Sequence, residues 1–315
     1  MRDSAPVAVC SRSFSASARL RTMLSERYED IRFNDAGERL EGSRLASFLD
    51  GVQKTIVGLE RLDRPLLSKL PNLKVVSKFG VGLDSISLSA LAEFGVSLGW
   101  KPGVNKRAVA ELVISQAINL LRGITCSHMD IQAGVWGRTP GRELSSIVLG
   151  IVGCGNIGKE VVRLLQPFGT QILVHDLVEY PEFYEQHGVS AVSLEQLLRE
   201  SDVVSLHLPM DEQTHNILSA DRLATMKPGS CLINTARGGL VDESALYQLL
   251  SDGRLHGAAF DVFENEPPMG NHLLTLPNML CTAHIGGTSS RAVQLMGEAA
   301  IEGLDNCAPA LTYLD

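Results

Sequence analysis

Ile147-Val148-Leu149-Gly150-Ile151-Val152 has the composition of a buried strand and runs straight into Gly153-Cys154-Gly155-Asn156-Ile157-Gly158, after which Lys159–Leu165 reads as a helix. In that context each glycine has its own task. Gly153 permits a tight turn, Gly155 leaves backbone bare where a pyrophosphate approaches, and Gly158 lets helix and strand pack closely. Asn156 and Ile157 open the helix, whose free N–H groups and dipole favour an anion. The next apolar run, Ile172–Val174, ends at His175-Asp176. Asp176 therefore stands about 20 residues past the glycines, where a carboxylate accepts the ribose hydroxyls of a dinucleotide and repels a 2′-phosphate. Leu177, Val178 and Glu179 bring no Arg. The stretch implies a doubly wound parallel α/β unit that binds NAD in preference to NADP.

Short Val- and Ile-rich runs alternate with helical patterns on both sides of this motif, as β-α units around a parallel sheet do. Downstream they are Val203–Leu206, Cys231–Asn234, Ala258–Asp261 and Leu280–Ala283. Upstream they are Val7–Cys10, Lys54–Val57, Lys74–Ser77 and Val96–Leu98, with helical stretches at Ser15–Ser25, Gly42–Leu49 and Ser85–Phe94. A chain of 315 residues exceeds one ordinary core. The predicted fold is therefore α/β with two doubly wound parallel-sheet domains. A Rossmann-type cofactor domain, residues 101–287, is inserted into a discontinuous, flavodoxin-like substrate domain made of 1–100 and 288–315. The second piece is assigned there because the helical stretch Ser289–Asn306 has no domain of its own to complete. Lys106–Met129, apolar at helical spacing, reads as one helix bridging the two domains. Joints at Leu98–Pro102 and Gly286–Ser290 lead us to expect closure that excludes water.

Hydrophobic residues at 44% and charged residues at 20% describe a globular chain. A net charge of −8 opposes general attraction to nucleic acid or to an anionic membrane. No 18 apolar residues run together, and Met1 to Val9 lacks the pattern of a leader. Six scattered cysteines, without a Cys-x-x-Cys pair or a His at ligand spacing, suggest neither a disulfide scaffold nor a metal site. The expectation is a cytoplasmic protein.

Polar residues gather where later strands end, the place at which parallel sheets bind ligands. Arg237, in Asn234-Thr235-Ala236-Arg237-Gly238-Gly239, is flanked by small residues, a setting that suits its planar fork to gripping a carboxylate. Glu266 precedes a proline pair, and His284 precedes Ile285-Gly286-Gly287. Reduction of a ketone by hydride needs a proton donor, and imidazole supplies one near neutrality. A carboxylate beside it orients the ring and favours its charged form, a role open to Glu266. Arg237, Glu266 and His284 form the candidate catalytic set, with Arg237 and His284 also binding substrate. His207, Pro209, Thr214, Thr235, Ala236, Asp261 and Gly286 join the glycine motif and Asp176 as candidate cofactor contacts. Asp261 has two readings: it orients the nicotinamide carboxamide, or it ends a strand and bonds its own turn.

These residues resemble the D-isomer-specific 2-hydroxyacid dehydrogenase family, within it the phosphoglycerate dehydrogenase-like branch. The motifs that carry the likeness are Lys78-Phe79-Gly80-Val81-Gly82-Leu83-Asp84, Pro102-Gly103-Val104-Asn105 with Val109-Ala110-Glu111, Gly153–Gly158 with Asp176, Asn234–Gly239, Glu266-Pro267 and His284–Gly287. The resemblance implies that Arg237, Glu266 and His284 are the family's catalytic Arg, Glu and His, and that the Val81 and Gly82 amides bind the substrate carboxylate. It also implies a homodimer formed through the cofactor domain, using Lys106–Met129 and the following arm, with Trp136 reaching the partner subunit. Asp211 stands where relatives commonly have Thr, which points to altered hydrogen bonding in the loop Pro209–Thr214.

The substrate implied is a small anionic 2-hydroxy or 2-keto acid. Lys78, Arg61 and Arg107 either favour a second anionic group, as in 3-phosphoglycerate, or are simply solvated. Two alternatives stay open: oxidation of phosphite or a phosphonate-bearing hydroxy acid, and a non-catalytic protein that senses NADH.

Overall fold

Strands form where β-branched and aliphatic side chains run together, because both faces of a helix-covered parallel sheet are buried. The computed structural model, which describes residues 2–314, has five such strands in its first hundred residues: β1 (Val7–Val9), β2 (Ile31–Phe33), β3 (Lys54–Val57), β4 (Val75–Lys78) and β5 (Ser97–Gly99). A second series follows: β6 (Val148–Val152), β7 (Gln171–His175), β8 (Ser190–Ala191), β9 (Val203–Leu206), β10 (Cys231–Asn234), β11 (Gly257–Phe260) and β12 (Met279–Cys281). The last strand is β13 (Ala308–Pro309).

One sheet has the order β13-β5-β4-β3-β1-β2 and is parallel except where β13 meets β5. The other has the order β12-β11-β10-β9-β6-β7-β8 and is parallel throughout. In the second sheet the winding reverses between β6 and β9, and the crevice beyond their C-terminal ends is where such sheets bind ligands.

The chain divides into one unit that ends at Asn105 and resumes at Ser289, and another spanning Lys106–Thr288. Val104, just before that first break, packs against the core of the first unit with Val9 and Phe14. The returning helix, Ser290–Gly303, docks on the first sheet at van der Waals limit. A Cβ on Gly99 would lie 2.1 Å from the Gly303 carbonyl oxygen, and the Ser77 hydroxyl donates to the Ala300 carbonyl at 2.6 Å.

The expected helix Lys106–Met129 is two helices, Lys106–Arg122 and Ile124–Gln132, bent by 59°. Gly123 lies between them at φ +59°, a conformation that glycine adopts without a Cβ penalty and that ends a helix. The first piece buries Val109, Ala110, Val113, Gln116, Ala117, Leu120 and Leu121, and the second buries nothing. Among the described residues no single helix is long and apolar enough to cross a membrane. The stretch expected as helical from Ser15 begins at Ala18, and a separate short helix, Arg12–Ser15, precedes it. Ser11 and Ser17 cap them, each accepting from a first-turn N–H.

Asp202, between the helix that precedes β9 and the strand itself, ties the chain before β6 to the sheet. Its carboxylate accepts from Arg142 at 3.1 Å, Lys227 at 2.8 Å and the Val148 N–H at 2.9 Å. Burial pushes the carboxyl up, but the bonds from Lys227 and Val148 and the nearby cations outweigh that and hold it below its ordinary 3.8. A depressed acid contributes stability that is complete above its unfolded value and is lost as pH falls through the folded one. Asp202→Asn should therefore lower the Tm at pH 7, and the gap from the parent should narrow as pH falls below the ordinary carboxylate value of 3.8. Thermal melts across pH 3–7 check this; a gap independent of pH contradicts it.

Candidate active site

Of the three motif glycines, two are demanded by packing and one is not. A Cβ on Gly153, at φ +96°, would sit 2.7 Å from the His207 carbonyl oxygen, and one on Gly158 would sit 2.2 Å from that of Gly153. A Cβ on Gly155 would meet nothing within 4 Å. Approach of a ligand to the start of the helix Asn156–Leu165 accounts for that glycine, and a pyrophosphate fits it. Asp176, just past β7, accepts from the Cys154 N–H at 2.5 Å and the Val178 N–H at 2.9 Å, so the acidic residue also holds the glycine turn.

Two polar atoms on neighbouring strand ends are buried without a partner among the described residues: Nδ1 of His207 beyond β9 and the Thr235 hydroxyl beyond β10. Burial pushes the His207 imidazole down to about 3, so the ring is neutral, and its Nε2 lies 3.0 Å from the Ser205 hydroxyl. Unpaired buried polar groups are costly, and a bound dinucleotide with its amide and hydroxyls is a fitting partner. Thr214 is otherwise engaged. Its hydroxyl donates to the Pro209 carbonyl at 2.8 Å and accepts from the Asp211 N–H at 2.8 Å. Asp211 accepts from the Thr214 and Gln213 N–H groups, which hold its carboxyl below the usual range. The departure at this position is thus absorbed within its own loop.

Beyond β10, the buried Asn234 side chain shapes the turn that carries Arg237. It accepts from the Ala236 N–H at 3.1 Å and donates to the Arg237 carbonyl at 2.8 Å. Gly238 packs this turn onto the exit of β11, since a Cβ there would be 1.9 Å from the Phe263 oxygen. On that exit Glu266 accepts from the Phe263 N–H at 3.2 Å, and its other oxygen is 2.9 Å from Nδ1 of His284. The imidazole is thereby fixed in orientation, with Nε2 as the nitrogen at its other end.

His284 has φ +54°, a left-handed conformation that non-glycine residues occupy only when their surroundings insist. Asp261 supplies that insistence. Only 1% exposed, its carboxylate accepts from the Thr282 hydroxyl at 2.6 Å, the Ile285 N–H at 2.7 Å and the Gly286 N–H at 2.8 Å, and its carbonyl accepts from His284 N–H at 2.9 Å. Of the two readings open for Asp261, this geometry belongs to the one in which it bonds a turn, although the turn is that of the next strand. Thr282 went unnoticed in the sequence.

Lys78, Val81 and Gly82 cluster at the end of β4 in the first unit. Lys78 is 6% exposed and donates to the Gly58 carbonyl, with the Ser85 hydroxyl 3.5 Å away. Arg61 is 3.4 Å from Asp63, and Arg107 pairs with Glu111 at 2.6 Å and Glu160 at 3.4 Å.

A sequence profile described as D-isomer specific 2-hydroxyacid dehydrogenase, NAD binding domain, matches residues 114–286. The chain belongs to this dehydrogenase family. It is an NAD-dependent oxidoreductase acting on the CH–OH group of 2-hydroxy acids. The (S)-sulfolactate dehydrogenase of Chromohalobacter salexigens is 40% identical over 252 residues, covering 78% of this chain and 82% of that one. The D-3-phosphoglycerate dehydrogenase of Methanocaldococcus jannaschii is 36% identical over 245 residues, or 77% of this chain but only 47% of that longer enzyme. Among solved structures, the D-lactate dehydrogenase of Aquifex aeolicus, complexed with NAD and lactic acid, superposes with a TM-score of 0.81 at 26% identity, over 94% of this chain and 93% of that one.

Proposed function

We propose that this dehydrogenase interconverts a small D-2-hydroxy acid and its 2-keto acid, with Arg237, Glu266 and His284 as the catalytic set. The observation that carries the reading is the 2.9 Å contact between Glu266 and His284 Nδ1 on a turn clamped by Asp261. In reduction, Arg237 takes the substrate carboxylate and polarises the keto oxygen. His284 gives its Nε2 proton to that oxygen as negative charge develops, and Glu266 balances the imidazolium before the transfer. When bound, the nicotinamide supplies the hydride, and takes it back in oxidation. Gly153, Gly155, Asn156, Ile157 and Gly158 receive the pyrophosphate, Asp176 the ribose, and His207, Pro209, Thr235, Ala236 and Gly286 surround the remainder, while Thr214 and Asp261 hold the loops beside it. In this reading the unit Lys106–Thr288 is the NAD-binding domain and the other unit, with Lys78, Val81 and Gly82, recognises substrate.

A second anionic group on the substrate is favoured by two relatives, one named for sulfolactate and one for phosphoglycerate. The (S) descriptor of sulfolactate is compatible with the D series. Sulfur makes the sulfonomethyl arm outrank the carboxylate, so the arrangement called R in lactate is called S there. The buried Lys78 side chain at the end of β4 is of the type that suits such a group. Initial rates with NADH and sulfopyruvate, phosphohydroxypyruvate, hydroxypyruvate, glyoxylate and pyruvate test both levels. A doubly charged acid should give the highest kcat/KM, and Lys78→Ala should raise its KM about tenfold more than that for glyoxylate, the worth of one charge-assisted hydrogen bond. Turnover of no acid removes the dehydrogenase reading; preference for a singly charged one, or equal effects of Lys78→Ala, removes the second anion.

We also infer a homodimer formed through the NAD-binding domain. The helix Ile124–Gln132 buries no side chain, and Met129 is 62%, Val135 53% and Trp136 79% exposed in the single chain. Apolar exposure of this kind along one segment marks an interface. Sedimentation should give a dimer, and Met129→Glu combined with Trp136→Ser should give a folded monomer; a monomeric parent protein contradicts the inference. Six unpaired cysteines suit a reducing compartment, which supports the cytoplasm as the place of action.

A further inference from the structure

We propose that Trp100 is a positioning residue, which turns the Val81–Gly82 peptide so that the Gly82 N–H is presented to an anion. The inference rests on the reading of Val81 and Gly82 as carboxylate-binding amides and adds a cause for their orientation.

Trp100 directly follows β5, and its indole Nε1 donates to the Val81 carbonyl at 3.0 Å. A trans peptide is planar, with its C=O and N–H pointing in opposite directions. Tying the Val81 oxygen to the indole therefore aims the Gly82 N–H the other way. Both ends of the loop are held by backbone bonds, Phe79 N–H to Val57 at 2.8 Å and Ile86 N–H to Leu83 at 2.9 Å. Between them, neither the Val81 nor the Gly82 N–H donates to a backbone acceptor among the described residues.

The indole is itself braced. The Tyr313 ring meets it edge-on, centroids 5.5 Å apart at 84°, and the Tyr313 hydroxyl donates to the Leu98 carbonyl at 3.4 Å. Pairing of Ala308 with Leu98 brings the turn Ala310–Tyr313 to this place. The end of the chain thus buttresses a donor loop that the sequence puts more than two hundred residues earlier.

A peptide aimed in this way contributes to holding substrate and leaves the hydride and proton transfers alone. Trp100→Phe keeps an aromatic ring against Tyr313 and removes the N–H. It should raise KM for the best 2-keto acid about tenfold, one charge-assisted hydrogen bond, with kcat and the Kd for NADH within twofold. Trp100→His, which retains a ring N–H, should recover part of the loss. Tyr313→Leu, which leaves the indole in place but unbraced, should move KM in the same direction. An unchanged KM in Trp100→Phe, or equal losses in KM, kcat and NADH affinity, overturns the proposal; if that variant does not fold, Tyr313→Leu decides by the same criteria.

A binding readout separates this inference from the function beneath it. The chain has two tryptophans, so in Trp136→Phe the emission of Trp100 alone reports on the loop during titration with oxalate. A protein that reduces no 2-keto acid yet answers oxalate sinks the dehydrogenase reading and upholds the role of Trp100. Absence of any response to oxalate overturns the role of Trp100.

Discussion

The Asp261 carboxylate, bonded to the Thr282 hydroxyl and to the N–H groups of Ile285 and Gly286, is the interaction on which the proposed active centre depends. A left-handed backbone at a residue other than glycine costs about 1–3 kcal/mol. Three hydrogen bonds to a buried charge, each stronger than its neutral counterpart, offset that cost. With the turn set, Nδ1 of His284 falls 2.9 Å from Glu266, and the proposed proton donor is oriented before any substrate arrives. Pre-organisation of this kind is how an enzyme avoids reorganising dipoles during the reaction.

The same device recurs across the second sheet. Parallel strands end in loops whose N–H groups lack ladder partners, and short acidic or amide side chains satisfy them. Asp176 holds the glycine turn through Cys154, Asn234 holds the turn of Arg237 through Ala236, and Asp211 closes the loop after β9. Each side chain shapes a loop at the end where ligands bind, so loop geometry and site geometry are decided together. In the first unit the equivalent work at the end of β4 falls to the Trp100 indole.

The central strands were legible because strands buried on both faces are continuous apolar runs. Three of the four edge strands were not: Ile31-Arg32-Phe33 carries a charge, and β8 and β13 are two residues each. Apolar periodicity continues across Gly123, so the break there was hidden although the glycine was in plain view. The candidate catalytic set and the glycine motif could be singled out because their chemistry is local to a few residues. The partners of Asp261 lie 21 to 25 residues away, and only the register of β12 beside β11 brings them near. The pairing of Arg107 with Glu160 was hidden for the same reason, since the two are 53 positions apart.

If Asp261 acts by holding the turn of His284, its removal must slow chemistry while sparing cofactor binding. The deciding measurement is a paired determination of kcat for 2-keto acid reduction and Kd for NADH in Asp261→Asn. The account predicts a fall in kcat of about a hundredfold, within the range for loss of a general acid, with Kd for NADH changed by less than threefold. An unaltered kcat, or a loss that resides wholly in NADH affinity, would contradict it.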